Sequence, residues 1–413
     1  MNACSFSIHR IAPLALALLT AAILLSGTAL AGDEGDSITE ALTGGKVNFD
    51  LRWRYEGVDQ DGVPENAKAS TARLRLGYTT GAYHGLSAFA EFEGTWHVGS
   101  DSYDSTANGQ GEYPVVADPE DSELNQAYLA YKGSERCEVK LGRQRIKLDN
   151  DRFIGNVGWR QNEQTFDAVT ASGKITDKTK LTLGYINNVN RIFGEHHPDE
   201  TRADLDVSIP WIHVSHEFPL GTLTGYSHFL ENEDAPAASH RNVGVRFTGM
   251  HELSDRMNLL YAAEYADQSD YEDAPSTVDA EYQWIELGLT ARKVTYKVGY
   301  EVLGGDGTYG FATPLATLHA FNGWTDMFLS TPPEGLEDLY VAVAGKLKGW
   351  KLLGVYHDFA ADEGSADWGD ELGFLVARKF KKHYGVGFKY ATYGADDYGV
   401  DTDKFWIWLQ AQR

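Results

Sequence analysis

Arg52 and Arg54, Arg73 and Arg75, Arg143, Arg246, Lys297 and Lys389 each stand at an alternate position within a run whose intervening residues are apolar. A guanidinium offers a rigid fork of donors that fits a carboxylate or a phosphate. A row of them on one face is therefore equipment for meeting anions. Glu56, Glu91, Glu93, Glu264, Glu286 and Glu301 fall on the same face. The same residues could equally pair with the bases and brace that face internally, and the sequence leaves the two readings open.

Other chemistry is thinly represented. No Gly-x-Ser-x-Gly elbow occurs, and Cys137 stands between Arg136 and Glu138 with no base signalled nearby. His97, His216 and His228, with many serines, could be assembled from separate strands into a hydrolytic site. A barrel enzyme acting on lipid or peptide at the cell surface is thus the alternative class, although the balance of residues points to no enzyme. His196-His197, followed by Asp199 and Glu200, is a loop sequence that could hold a transition metal but reads first as exposed histidines. Gly304-Gly305-Asp306-Gly307 lacks the Lys-Ser/Thr ending of a phosphate loop. The sequence calls for no cofactor and no metal.

The elements that would carry these residues follow from patterning. Residues 1–31 read as a cleaved signal peptide: Arg10, an apolar run from Ile11 to Leu25, and the small-x-small site Ala29-Leu30-Ala31 before Gly32. Cys4 leaves with it, so Cys137 can form no internal disulfide. Residues 32–413 form one domain, with Gly32 to Leu42 as a flexible lead-in. Its strong acidity, a net charge of -24 over the whole chain, argues against nucleic acid as a partner. No later stretch approaches the ~18 apolar residues of a spanning helix.

Period-two alternation dominates instead, as in Ala72-Leu74-Leu76-Tyr78 against Arg73-Arg75-Gly77, or Leu51-Trp53-Tyr55 against Arg52-Arg54-Glu56. From Gly45 to Gln412 this gives about eighteen strands of a length that crosses hydrocarbon when tilted. Connections alternate between long and short, with Asp59–Lys68, Gly99–Asp121, Ile146–Asn162 and Gly304–Glu337 among the long ones. The expected fold is all-β, a transmembrane antiparallel up-and-down barrel with both ends in the periplasm. Arg or Lys facing lipid at mid-membrane costs ~2–4 kcal/mol, so the alternating bases must face the lumen. Trp53, Trp96, Trp211, Trp284, Trp350, Trp406 and Trp408 are expected in the interfacial girdles. The acidic loops, with seven acids between Gly99 and Asn125 and five between Ala361 and Glu371, read as solvated surface that could bridge to lipopolysaccharide through divalent cations. Gly304–Gly307 and Gly99–Asp121 are candidate lids.

One segment carries a resemblance. Leu141-Gly142-Arg143-Gln144-Arg145, Asp151-Arg152-Phe153-Ile154-Gly155, Trp159-Arg160-Gln161-Asn162 and Phe166-Asp167-Ala168 are similar to the signature of the alginate export family of outer-membrane proteins, as are Phe49–Tyr55 and Arg73-Leu74-Arg75. The resemblance implies an eighteen-stranded barrel, inserted in the outer membrane of a Gram-negative cell by the barrel assembly machinery, among lipid and lipopolysaccharide. It implies passive passage of an anionic saccharide, an alginate-like polysaccharide or another small anionic solute through a base-lined lumen. It makes Arg143, Arg145, Arg152 and Arg160 the candidates for a constriction, with Arg52, Arg54, Arg73 and Arg75 lining the path.

Overall fold

A computed structural model describes residues 37–134 and 136–413, and the expected signal peptide lies outside the described residues. Eighteen antiparallel strands follow one another round a closed barrel. The first six are β1 (Lys46–Gln60), β2 (Ala67–Thr79), β3 (Leu86–Ser102), β4 (Asp121–Ser134), β5 (Cys137–Gln144) and β6 (Thr165–Lys174). Next come β7 (Thr179–Asn190), β8 (Asp204–Phe218), β9 (Gly221–Asn232), β10 (His240–Ser254), β11 (Met257–Asp270) and β12 (Asp279–Ala291). The circuit ends with β13 (Val294–Leu303), β14 (Leu336–Leu347), β15 (Trp350–Ala360), β16 (Asp367–Phe380), β17 (Tyr384–Ala395) and β18 (Thr402–Gln412). Closure is made by β1, which pairs with β2 on one side and with β18 on the other, from Asp50 opposite Gln412 to Gln60 opposite Thr402. Every strand therefore has two neighbours, which removes the open edge that a membrane cannot tolerate.

The alternation seen in sequence is the alternation of faces. Leu51, Leu76, Phe92, Val243, Val245, Ile285, Leu287, Val341, Val343, Ile407 and Leu409 lie exposed on the outer surface, where hydrocarbon would meet them. Arg52, Arg54, Arg73, Arg75, Glu91 and Glu93, on the opposite parity, are buried inside. The segment 37–45, the C-terminus and the connections at 219–220, 255–256, 292–293 and 348–349 lie at one end of the barrel, and the loops at 103–120, 145–164 and 304–335 spring from the other. The long-short sorting is weakest at the start. The loop at 61–66 is no longer than the turn at 80–85, because β1 and β2 run on as a hairpin beyond the expected boundary.

Two expectations are corrected. The lead-in is not wholly irregular: Ile38–Thr43 forms a short helix, α1, whose first turn is capped by the Ser37 hydroxyl accepting from Glu40 N. It is docked by Tyr78 Oη donating to Leu42 O at 2.6 Å and Gly81 N donating to Ala41 O at 2.8 Å. Four of the tryptophans assigned to the girdles face inward. Trp211, Trp284 and Trp406 are buried, and Trp408 packs edge-on against Trp159 at 5.6 Å. An indole satisfies either an interface or a filled lumen, and only parity against the luminal charges separates the two.

Inward aromatics also cover glycines on the facing strand. Gly387 stands opposite Trp408, whose ring occupies the space that a Cβ would need. Gly387→Val should therefore cost about 1–3 kcal/mol by overpacking, read as a lower unfolding temperature of the barrel in heat-modifiable gel mobility, with the conservative Gly387→Ala falling between.

Candidate functional site: a two-loop plug and its charge network

The loop 145–164 leaves β5 and turns into the lumen, although sequence length alone gave it no priority over the other long loops. Its apolar residues seat it. Ile146 and Ile154 pack with Ile186, Val207, Ile209 and Trp211 on the inner wall, and Phe153 contacts Tyr226, Tyr282 and Phe311 at 5.3–5.9 Å between ring centres. The loop 304–335 descends from the opposite side and joins it. Gly155 N donates to Leu315 O and Thr317 N donates to Asp151 O, each at 2.9 Å, while Val157 N donates to Thr317 Oγ1 at 3.1 Å. Val157, a β-branched residue, holds a φ of 49° at this junction, a backbone state that such side chains disfavour and that the surrounding contacts must impose. The third loop, 103–120, contributes Asp118, which is fully buried and accepts from Gln161 N at 2.8 Å. The loops that hold the two candidate lids thus reach the loop 145–164 through Asp118 and through Leu315 and Thr317, while Asp306 and Gly307 of the Gly304–Gly307 run stay exposed.

The eight arginines fall into two groups. Six are sealed. Arg52 donates to Gln161 Oε1 at 2.9 Å and to the carbonyls of Gly158 and Arg160. Arg54 pairs with Asp118 and lies over the Trp159 ring at 5.1 Å. Arg73 pairs with Asp50 at 2.8 Å, and Arg75 with Glu93 and, at 3.2 Å, with Glu163. Arg152 reaches Glu301 at 3.0 Å and donates to Asn322 at 3.0 Å. Arg160 is held between Glu56 at 3.1 Å and Asp326 at 3.0 Å. The other two stay accessible: Arg143, with Asp167 at 2.9 Å, and Arg145, with Glu91 at 2.7 Å and with Glu163, keep side-chain exposures of 21% and 32%. Arg246 pairs with Glu264 and Lys297 with Glu286, so all six inward glutamates anticipated from parity engage a base.

Sequence reading missed the plug's own half of this network. Glu163 is buried where burial alone would raise its carboxyl, but Arg75 and Arg145 outweigh that and hold it down to about 2. Asp118 follows the same logic, lowered by Arg54 and then Arg160 against its burial. His319 goes the other way, pushed to about 3 chiefly by burial, so its ring is neutral. Its Nδ1 faces Asp326 at 2.6 Å, and its Nε2 accepts from Lys389 Nζ at 2.7 Å. Lys389 lies 3.8 Å from the centre of the Trp324 ring and 4.5 Å from that of Trp159, so a tryptophan from each plugging loop contacts one luminal ammonium. Only Glu163, adjoining the Trp159–Asn162 motif, had a local signal that could have found it.

Two chambers flank the plug. An outer vestibule of about 660 Å³ includes Glu123, Arg143, Asp167, Glu195, Asp204 and Glu233 in its lining. An inner chamber of about 620 Å³ is bounded by Arg246, Trp284, Lys297 and Tyr340, with Phe321 and Trp324 of the plug against it. The paired histidines make local contacts: His196 Nδ1 is 2.6 Å from Asp121 Oδ1, and His197 engages Thr106 O. Among the described residues no three His, Cys, Asp or Glu side chains are grouped to hold an ion.

A closed eighteen-stranded antiparallel barrel with loops folded into a charged lumen defines an outer-membrane β-barrel of the porin type. The chain belongs to the alginate export family, which matches residues 45–306. No curated protein matches the sequence. Solved structures share the fold: Pseudomonas aeruginosa OccK9 (OpdG) at a TM-score of 0.71 and 15% identity, over 90% of this chain and 100% of that one. Acinetobacter baumannii OccAB4 gives 0.69 and 15% over 89% and 98%, and Pseudomonas aeruginosa OpdK with vanillate 0.69 and 13% over 90% and 99%.

Two outcomes follow from the clamp. Arg160→Ala removes the cation that bridges Glu56 and Asp326 and leaves each with one base, Arg54 at 3.4 Å and Lys404 at 3.1 Å, which should cost about 1.5–3 kcal/mol of plug docking and appear as larger, noisier single-channel currents than the parent's. Glu163 has a folded value below the ordinary carboxyl value of about 4.3, so its contribution is complete above that pH and is lost as pH falls towards about 2. Loosening of the plug through loss of the Glu163 contacts should accordingly set in only below about pH 4, read as rising or flickering conductance there that Glu163→Gln shows already at neutral pH.

Proposed function

We propose that this protein is a passive outer-membrane channel for small anionic solutes, carboxylate-bearing saccharides foremost, and that it is not an enzyme. The observation that carries the reading is the division among the luminal bases. Six arginines are sealed, five of them in contacts of the plugging loops, whereas Arg143 and Arg145 keep partly exposed guanidinium groups, with Arg143 lining the outer vestibule. An arriving carboxylate can take the place of Asp167 on Arg143 without burying a new charge, an exchange between partners of equal kind. The route continues along the plug to the inner chamber, where Arg246 lies over Trp284 at 4.7 Å and Lys297 is half-exposed. A base beside an aromatic face suits a solute with an acidic group on a ring. Membership of the alginate export family supports acidic saccharides, and the neighbour OpdK was solved with vanillate, an aromatic carboxylate.

Reversal potentials in planar bilayers under a salt gradient test the route. The parent channel should prefer anions, and Arg143→Glu should move the reversal potential towards cations with little change in conductance. Arg152→Glu, which sets a carboxylate against Glu301, should chiefly raise conductance. A cation-preferring parent, or an Arg143→Glu variant with unaltered selectivity, would sink the proposal.

A further inference from the structure

Three successive short turns at the end of the barrel that carries the C-terminus are basic. They hold Arg292 and Lys293 between β12 and β13, Lys348 between β14 and β15, and Lys381 and Lys382 between β16 and β17. No Asp or Glu stands in residues 287–300, 339–357 or 372–395, so these turns have no acid on the adjoining strand ends to neutralise them. In a chain whose net charge is -24, the arc is a local reversal of sign. Lys348, Lys381 and Lys382 moreover hold φ values of 49°, 47° and 64°. Such turn positions favour Asn, Asp or Gly, so a lysine at each adds charge at a conformational cost.

Arg378 lies beside these turns on the outer face of β16. Register fixes the face: Leu352 stands across from Val376 and Phe380 across from Tyr384, and Leu352, Phe374, Phe380 and Tyr384 are exposed outward. Arg378 shares the parity of Phe374 and Phe380. Its guanidinium lies 4.7 Å from the centre of the Phe380 ring and 5.8 Å from that of Trp350, and the two rings meet edge-on at 6.2 Å. Cation-π attraction holds the group there. Gly349 leaves it uncovered, since a Cβ at that position would already stand 3.4 Å from Arg378 Nε. Among the described residues Arg378 has no ion pair and no hydrogen-bond acceptor. The sealed luminal arginines differ, closing on Asp118, Glu163 or Glu301.

A planar fork of donors, fixed in place and without a partner from the chain, suits a phosphate or a carboxylate. Its setting decides between a soluble anion and a lipid. Arg378 is two residues from Val376 on a face that continues through Leu352, Phe374 and Phe388, where hydrocarbon would lie. Trp350 and Tyr384 beside it are the residue types that settle at headgroup level. Gly345, across from Leu352, and Gly354, across from Phe374, leave a low strip on the same face along which an acyl chain can lie. We propose that Arg378, with Lys348, Lys381 and Lys382, binds the headgroup phosphate of an anionic phospholipid of the phosphatidylglycerol class in the periplasmic leaflet. The lysines draw anionic lipid to the rim, as basic clusters at a membrane surface do, and the framed guanidinium gives that attraction a single site. A soluble anion would use the charge and leave the apolar face idle. A lipid held there fixes the depth of the three turns at the membrane surface.

The test is native mass spectrometry of the refolded, delipidated barrel in mild detergent, titrated with dioleoyl phosphatidylglycerol and, in parallel, with dioleoyl phosphatidylcholine. One phosphatidylglycerol should be retained about tenfold more strongly than phosphatidylcholine. Arg378→Gln should weaken retention about fivefold, and Arg378→Lys should fall between, because an ammonium keeps the charge and loses the fork. Lys381→Gln combined with Lys382→Gln should weaken it as well. These variants should melt as the parent does, since the outward Arg378 gives up no ion pair. Arg241→Gln, which removes an exposed base at the opposite rim, should leave retention unchanged. Phosphatidylglycerol with brominated chains should quench the parent's tryptophan fluorescence more than that of Trp350→Phe. Equal retention of the two lipids, retention in Arg378→Gln equal to the parent's, or a loss in Arg241→Gln as great as in Arg378→Gln would each overturn the proposal. Displacement of the lipid by an equal concentration of glycerol phosphate, the same anion without acyl chains, would overturn it in favour of a soluble ligand.

Discussion

A charge taken out of water must meet an opposite charge, and this requirement organises the interior of the barrel. Alternation forces the arginines of β1 and β2 inward, because lipid would penalise them on the other face. Once there, Arg52 and Arg73 stand directly opposite each other in the strand register, two cations side by side. Nothing on the same two strands supplies enough acid to neutralise them. Asp50 on β1 meets Arg73, Asp118 and Glu163 come from two loops to meet Arg54 and Arg75, and Asp326 on a third meets Arg160 of the plug itself, which is why those loops lie inside. Removing one partner from such a set strands the other, so the plug is held as a network more than by its individual contacts.

The plug also spans the lumen from one wall to the other. Glu163 is gripped by Arg75 and Arg145, while Arg152 is gripped by Glu301 on β13. The loop thus presents an acid to the basic wall and a base to the acidic one. Asn322 on the loop 304–335 donates to both Glu301 and Asp338, at 2.7 and 3.1 Å, so the second loop locks the same wall that Arg152 engages. Arg143 and Arg145 stay partly exposed at the plug's edge, Arg145 while it also grips Glu163.

Burial and exposure divide the bases more sharply than their sequence positions suggest. Arg143 and Arg145 are two residues apart, as are Arg73 and Arg75, yet the first pair stays accessible and the second is sealed. The difference lies in what covers them: β5 ends at Gln144 and the chain turns away, whereas the inner face of β2 is roofed by Gln161 and Glu163. Bracing, one of the two readings the sequence left open, falls to the sealed members of the set, while Arg143 and Arg145 keep part of their surface exposed.

By itself the sequence determined the wall. The period of two, the parity of Arg52, Arg54, Arg73 and Arg75 against Leu51, Leu74 and Leu76, and the sorted connections specify strands, their inward faces and the barrel's eighteen-fold circuit, because each depends on neighbours a few residues apart. Tertiary structure decided the lumen. That Asp118 meets Arg54, that Arg160 lies between Glu56 and Asp326, and that Trp406 faces inward rather than towards the membrane interface are matters of which loop enters a space whose walls are built from the whole chain. Arg152 and Glu301 are far apart in sequence and 3.0 Å apart in space. Long-range pairing of this kind leaves no periodic trace, since the energy that selects it exists only after the barrel has closed around the loops and excluded water.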